Sequence, residues 1–182
     1  GRVERPFRVC FTGHRPQKLG GFDDNDFARS VRTVLKRTID QLIQKHIAVD
    51  FVSGMAVGVD ILAAIAVLEA KLANPERVTL QLAIPFVGQY SNWPLASQRQ
   101  YMDIYRQADT IHYVDEDGYA AWKLLNRNKW MVDNTDMVVA VWNGDEDGGT
   151  AHCVKYAQRK NKEIDNIWTQ ILTEHTNITK KS

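Results

Sequence analysis

A doubly wound α/β fold, a mostly parallel sheet with helices on both faces, is the architecture this sequence predicts, and three observations predict it. Short apolar or β-branched runs alternate with longer stretches of helical period, the pattern of parallel strands joined by crossover helices. Runs such as Met137-Val138-Val139-Ala140-Val141 are apolar on both faces, as strands covered by helices on both sides must be. Glycines punctuate the junctions between strand-like and helix-like segments, where the backbone has to turn sharply.

In chain order, strands are expected over residues 7–11, 48–52, 78–84, 110–114, 136–142 and 163–168, each short and rich in β-branched or aromatic residues. Helices are expected over 26–45, 60–72, 95–107, 119–133 and 150–160. In the first of these Phe27, Val31, Val34, Leu35, Ile39, Leu42 and Ile43 fall on one amphipathic stripe. Residues 6–172 read as a single domain, with no internal repeat or linker. Residues 1–5 and the Asn-, Thr- and Lys-containing stretch 173–182 read as flexible termini.

Composition narrows the function classes. A chain of 182 residues, 44% of them hydrophobic, is large enough to bury one real core and small for two domains. The 23 basic and 22 acidic residues leave a net charge of +1, which argues against nucleic acid or an anionic membrane as partner on bulk electrostatics. Homo-oligomerisation is compatible with this balance. Cys10 and Cys153 lie far apart and lack the spacing of a disulfide scaffold or a zinc site, so buried thiols in a cytoplasmic protein are expected. Nothing approaches an apolar run of about 20 residues, the length of a membrane span.

Ligands of open parallel sheets bind outside the carboxyl ends of the strands, so the loops after strands carry the functional argument. After the first strand, Thr12-Gly13-His14-Arg15-Pro16 offers a hydroxyl, a tight turn, an imidazole and a planar cation suited to phosphate or carboxylate. After the second, Ser53-Gly54-Met55-Ala56-Val57-Gly58-Val59-Asp60 places two glycines at a helix start, where free N–H groups attract an anion. It is neither a dinucleotide fingerprint nor a P-loop. Asp60 either caps this helix or accepts hydrogen bonds from ligand hydroxyls such as a ribose diol.

After the third strand, Pro85 and Phe86 lead into a loop ending at Asn92-Trp93, a mix of aromatics and amides that either stacks a base or covers the core. After the fifth, Gly148 and Gly149 followed by Thr150 as N-cap form a second anion cradle. The adjoining Asp145, Glu146 and Asp147 lack the alternate spacing of a calcium loop, and His14 and His152 lack partners at metal-ligand spacing, so no metal is assigned. Ser53 sits in no nucleophile elbow.

This ordered series of loops, from Thr12–Pro16 through Ser53–Asp60, Pro85-Phe86 with Asn92-Trp93, the stretch 128–136 and Gly148-Gly149-Thr150, resembles the SLOG superfamily, and within it the small YpsA-like proteins. The resemblance implies a Rossmann-like fold whose glycine loops bind a nucleotide or nucleotide-derived ligand. Carried over by position, it implies a pocket of Gly13, Arg15, Ser53, Gly54, Met55, Gly58, Asp60, Gly148, Gly149 and Thr150, joined by Arg127 and Asn128. The LOG enzymes of this superfamily, which cleave nucleotide N-glycosidic bonds, carry a further glycine before the threonine and a glutamate three residues after it. Here that position is Cys153.

Three functions follow as expectations. The first is a binding protein that senses or sequesters a nucleotide-type molecule such as an ADP-ribose or NAD derivative, with no further cofactor. The second is a nucleotide N-glycosidase in which Asp60 replaces the missing acid. The third is single-stranded DNA binding, against which the near-neutral charge argues.

Overall fold

The computed structural model describes residues 5–19 and 25–180, and within them the chain folds as six parallel strands and six α-helices. The strands are β1 (Phe7–Gly13), β2 (Val49–Ser53), β3 (Val78–Ile84), β4 (Thr110–Tyr113), β5 (Met137–Val141) and β6 (Glu163–Asn166), in the spatial order β4-β3-β2-β1-β5-β6. Every neighbouring pair is parallel, as crossover connections require. The helices are α1 (Asp26–Lys45), α2 (Val59–Ala73), α3 (Leu95–Gln107), α4 (Ala121–Asp133), α5 (Gly149–Arg159) and α6 (Trp168–Lys180), with a short 3₁₀ turn, η1, over Pro16–Lys18.

Burial follows the apolar pattern. β2 and β5 are buried along their whole length, whereas the edge strands β4 and β6 hold only exposed and half-buried residues. One layer, α3-α2-α1-α6, covers the larger core, which includes Val9, Phe11, Phe51, Leu80 and Val139. The other layer, α4 and α5, covers a smaller cluster around Cys10, Val52, Val138 and Cys153. The stripe of α1 is buried at Val31, Val34, Leu35, Ile39, Leu42 and Ile43. Its start is fixed by Asn25, whose side-chain oxygen accepts the N–H of Ala28 at 2.8 Å.

The ends of the chain depart from expectation. β6 stops at Asn166, whose side-chain oxygen accepts the N–H of Trp168 (3.3 Å) and whose amide donates to the carbonyl of Trp142 (3.0 Å). Trp168 therefore opens a helix instead of closing a strand. That helix, α6, runs through the stretch read as a flexible tail, because Ile171 is wholly buried and the helix packs along α1. At the other end Arg5 pairs with Asp136 at 2.6 Å. Residues 1–4 and 181–182 of the two expected tails lie outside the described residues.

The chain passes from β1 to β2 on one side, and β5 lies against β1 on the other. Strand order therefore reverses between β1 and β5, and a crevice opens beyond their carboxyl ends.

Candidate ligand-binding site

The β1 loop is held by contacts on three sides. Gly13 lies so close to α2 that a Cβ there would sit 2.6 Å from the Val59 side chain. His14 is buried, meets the Trp168 ring edge-on at 5.7 Å, and accepts the Asn143 N–H on Nε2 at 3.0 Å. This bond ties the β1 loop to the β5 loop, and the Lys18–Asp145 ion pair ties them again. Burial, and after it the Lys18 ammonium, holds His14 below its ordinary value, so the ring is a neutral acceptor. Arg15 is exposed at the crevice.

The β2–α2 turn faces inward. Ser53 is wholly buried; its hydroxyl donates to the Asp60 carbonyl (2.8 Å) and accepts the Met55 N–H (3.2 Å). Met55 has a positive φ of 61° and sends a fully buried side chain into the larger core. Gly58, at φ 107°, packs against the β1 loop, where a Cβ would lie 2.5 Å from the His14 carbonyl oxygen. The N-cap of α2 is Gly58, so Asp60 is not the cap. Its carboxylate reaches back to accept the Ala56 N–H at 3.2 Å. Burial raises the Asp60 carboxyl above the usual carboxylate range, while Arg127 and Arg15 act against that rise.

The β3 loop covers the core rather than the crevice. Pro85 and Phe86 are buried, Phe86 edge-on to Tyr119 at 5.9 Å, and Trp93 packs edge-on to the buried Tyr101 at 5.5 Å. Gln89 donates to the Gly54 carbonyl (3.3 Å). The base-stacking alternative for these aromatics is thus replaced by internal packing.

A buried cation of the cleft comes from α4. Arg127 is buried, donates from Nη1 to the Gly54 carbonyl at 2.5 Å and from Nε to Asn128 Oδ1 at 3.0 Å, and Asn128 in turn donates to the Gly149 carbonyl (3.2 Å). The Arg127 guanidinium thus links the β2 turn to the start of α5. Burial lowers its pKa and the Asp60 carboxylate acts to raise it. Helix α5 starts one residue earlier than expected. Gly148, at φ 103°, is its N-cap, no side chain caps it, and Thr150 lies inside the first turn. Cys153, at the position of the missing glutamate, is buried in the smaller core, and burial pushes its thiol up to about 11.

These pieces enclose a cleft of about 640 Å³. Of the residues nominated from sequence, Thr12, Gly13, His14, Arg15 and Asp60 line it together with Arg127, Asn128, Gly148, Gly149 and Thr150. Ser53, Gly54, Met55, Gly58, Pro85, Phe86 and Trp93 do not. Gly54 and Ser53 act one step behind the wall, holding Arg127 and Asp60.

The cleft also takes in residues that sequence reasoning missed. Gln17 and Lys18 enter from η1, Ala121, Leu124 and Leu125 from α4, and His152 from α5. His152 was visible next to the Gly-Gly-Thr; its buried Nδ1 has no hydrogen-bond partner, and burial, Lys129 and Arg159 lower its pKa. Among the described residues there is no cluster of three metal-ligating side chains, and no helix is long and apolar enough to cross a membrane.

Comparison with known proteins agrees with the motif series. The chain is 29% identical to a UPF0398 protein of Brevibacillus brevis over 84% of this chain and 81% of that one. It is 30% identical to the SPbeta prophage-derived protein YoqJ of Bacillus subtilis over 69% of this chain and 78% of that one. Among solved structures, DNA processing protein A of Streptococcus pneumoniae superposes with a TM-score of 0.59 at 17% identity, covering 97% of this chain and 57% of that one. The Helicobacter pylori protein, described for its single-stranded DNA binding mode, gives 0.57 at 18% identity, covering 87% of this chain and 64% of that one. At such identities the likeness is one of fold, and this chain spans less than two thirds of each of those proteins. The model of the YspA SLOG family matches residues 9–176, and the chain belongs to that family.

Proposed function

We propose that the cleft beyond β1 and β5 binds a nucleotide or nucleotide-derived small molecule, of the ADP-ribose or NAD type, and that the protein acts as its receptor. Arg127 is the observation that carries this reading. It is a buried cation lining the cleft whose direct hydrogen bonds, among the described residues, go to neutral acceptors, Gly54 O and Asn128 Oδ1. The Asp60 carboxylate acts on this charge without bonding to it, and an anionic ligand group adds direct compensation for a buried cation. The uncapped N-terminus of α5 and the exposed Arg15 add further attraction for the same anion.

A receptor is favoured over an N-glycosidase because the cleft's one buried carboxylate, Asp60, is engaged with the Ala56 N–H, and the position of the LOG glutamate is a buried thiol. Titration calorimetry of the full chain with NAD, ADP-ribose and nucleoside monophosphates tests this. One of them is expected to bind, and Arg15→Ala or Gly149→Asp, both at open positions, to weaken it at least about tenfold. Binding by none, or unchanged binding in both variants, overturns it.

A second reading, single-stranded DNA binding, is favoured by one observation. Lys129, Arg159 and Lys160 gather 5.5–5.8 Å from the ring of Tyr156, beside His152 at the cleft. The near-neutral net charge therefore averages over a surface with a local basic patch. A salt-dependent shift of an oligothymidylate, abolished by reversing these three charges, supports it. No shift at low salt removes it.

A further inference from the structure

We infer that the apolar stripe of α4 at the cleft, Ala121, Leu124 and Leu125, seats the planar base of the ligand, so that the ligand is a complete nucleoside phosphate bound with its phosphate inward. The inference rests on the nucleotide reading of the cleft and adds to it which part of the ligand lies where.

Residues 121, 124, 125 and 128 stand at i, i+3, i+4 and i+7, so they share one face of α4, and that face lines the cleft. Its chemistry changes along the helix. At the inner end Arg127 and Asn128 are buried and tied to Gly54 and Gly149. Toward the N-terminus Leu124 and Leu125 belong to neither hydrophobic core, and Leu125 is 36% exposed. Leucines that line a concave site and stand outside both cores are a surface that gains by covering.

The dimensions select the occupant. Seven residues of α-helix rise about 10 Å, so an anion held beside Asn128 and an apolar group beside Ala121 are separated by the length of a nucleoside monophosphate. A sugar phosphate would leave the leucines wet. Asp60, which also lines the cleft, offers carboxylate oxygens that can accept from the hydroxyls of such a ligand. Gln17, lining the same cleft from η1, carries an amide able both to donate to and accept from a base edge. The base seat is therefore on α4, in place of the β3-loop aromatics, which are spent on Tyr101 and Tyr119.

Calorimetry of the full chain against AMP, GMP, CMP, UMP and ribose 5-phosphate provides the test. At least one nucleotide is expected to bind about 30-fold tighter than ribose 5-phosphate, the gain from covering a base-sized apolar surface. In Leu124→Ser/Leu125→Ser, whose folding is checked by circular dichroism, that ratio is expected to fall to about threefold. If ribose 5-phosphate binds as tightly as all four nucleotides, or if the double variant keeps the full ratio, the base seat is overturned while the anion cradle stands. If none of the five binds, the base seat for a nucleoside phosphate fails, and the nucleotide reading fails with it only where NAD and ADP-ribose do not bind either.

Discussion

Two glycine turns open helices at the carboxyl end of this sheet, and they serve opposite purposes. In the β2–α2 turn the glycine is needed because protein approaches it: a Cβ on Gly58 would meet the His14 carbonyl oxygen at 2.5 Å. Around it Ser53, Met55 and Asp60 bind the turn's own backbone or fill the core. In the β5–α5 turn nothing lies within 4 Å of the Cβ that Gly148 lacks, although its φ of 103° is nearly the same. One turn is closed by its own chain, whereas the other leaves a helix N-terminus uncapped beside a cleft. A glycine-rich junction thus marks sharp backbone geometry, and only the surroundings decide whether protein or ligand fills the space it leaves.

Substitutions separate the two cases by size. Gly58→Ala combines a strained positive φ with a clash against backbone that cannot move aside, and should cost about 4 kcal/mol in urea denaturation. Ser53→Ala strips the Met55 N–H of its acceptor and the Asp60 carbonyl of a donor in a fully buried place, an expected loss of about 2 kcal/mol. Gly148→Ala meets open space and carries the φ penalty alone, about 1 kcal/mol. Equal losses at Gly58 and Gly148 would break the contrast between a packed turn and an open one.

The same contrast explains what sequence made legible. Strands apolar on both faces and the stripe of α1 are local patterns, so the doubly wound sheet followed from them. Trp168, Ile171, Leu172 and His175 also stand at i, i+3, i+4 and i+7, but their polar neighbours Thr169, Thr173 and Asn177 disguised α6 as a tail. The cleft loops were legible through their place after strands. Leu124 and Leu125 were not, because their exposure depends on α4 passing from the edge strand β4 across to β5, a long-range crossing no window of sequence contains. The β3-loop aromatics show the converse. Their composition suits both base stacking and core covering, and Tyr90 and Trp93 pack on Tyr101.

The smallest expected effect concerns the link between the two loops that frame the cleft. His14 must stay neutral to accept the Asn143 N–H on Nε2, and burial with the Lys18 ammonium holds its pKa below 6.5. In the unfolded chain the imidazole returns to its ordinary value near 6.5, so below that pH the unfolded state takes up a proton that folded His14 still refuses. Stability contributed by this site is therefore full above pH 6.5 and declines as pH falls toward the folded value. His152, also lowered, contributes with the same sign, whereas Asp60, raised by burial, contributes with the opposite one. His14→Gln isolates the imidazole, since the Gln side-chain oxygen offers the Asn143 N–H an acceptor that does not titrate. Denaturation midpoints on either side of pH 6.5 should drop less in the variant than in the wild type, and the protection of the Asn143 amide, relative to its intrinsic exchange rate at each pH, should fall on acidification only in the wild type. Parallel pH profiles would show that the two loops are held by the Lys18–Asp145 pair and their packing, with His14 a passive part of the wall.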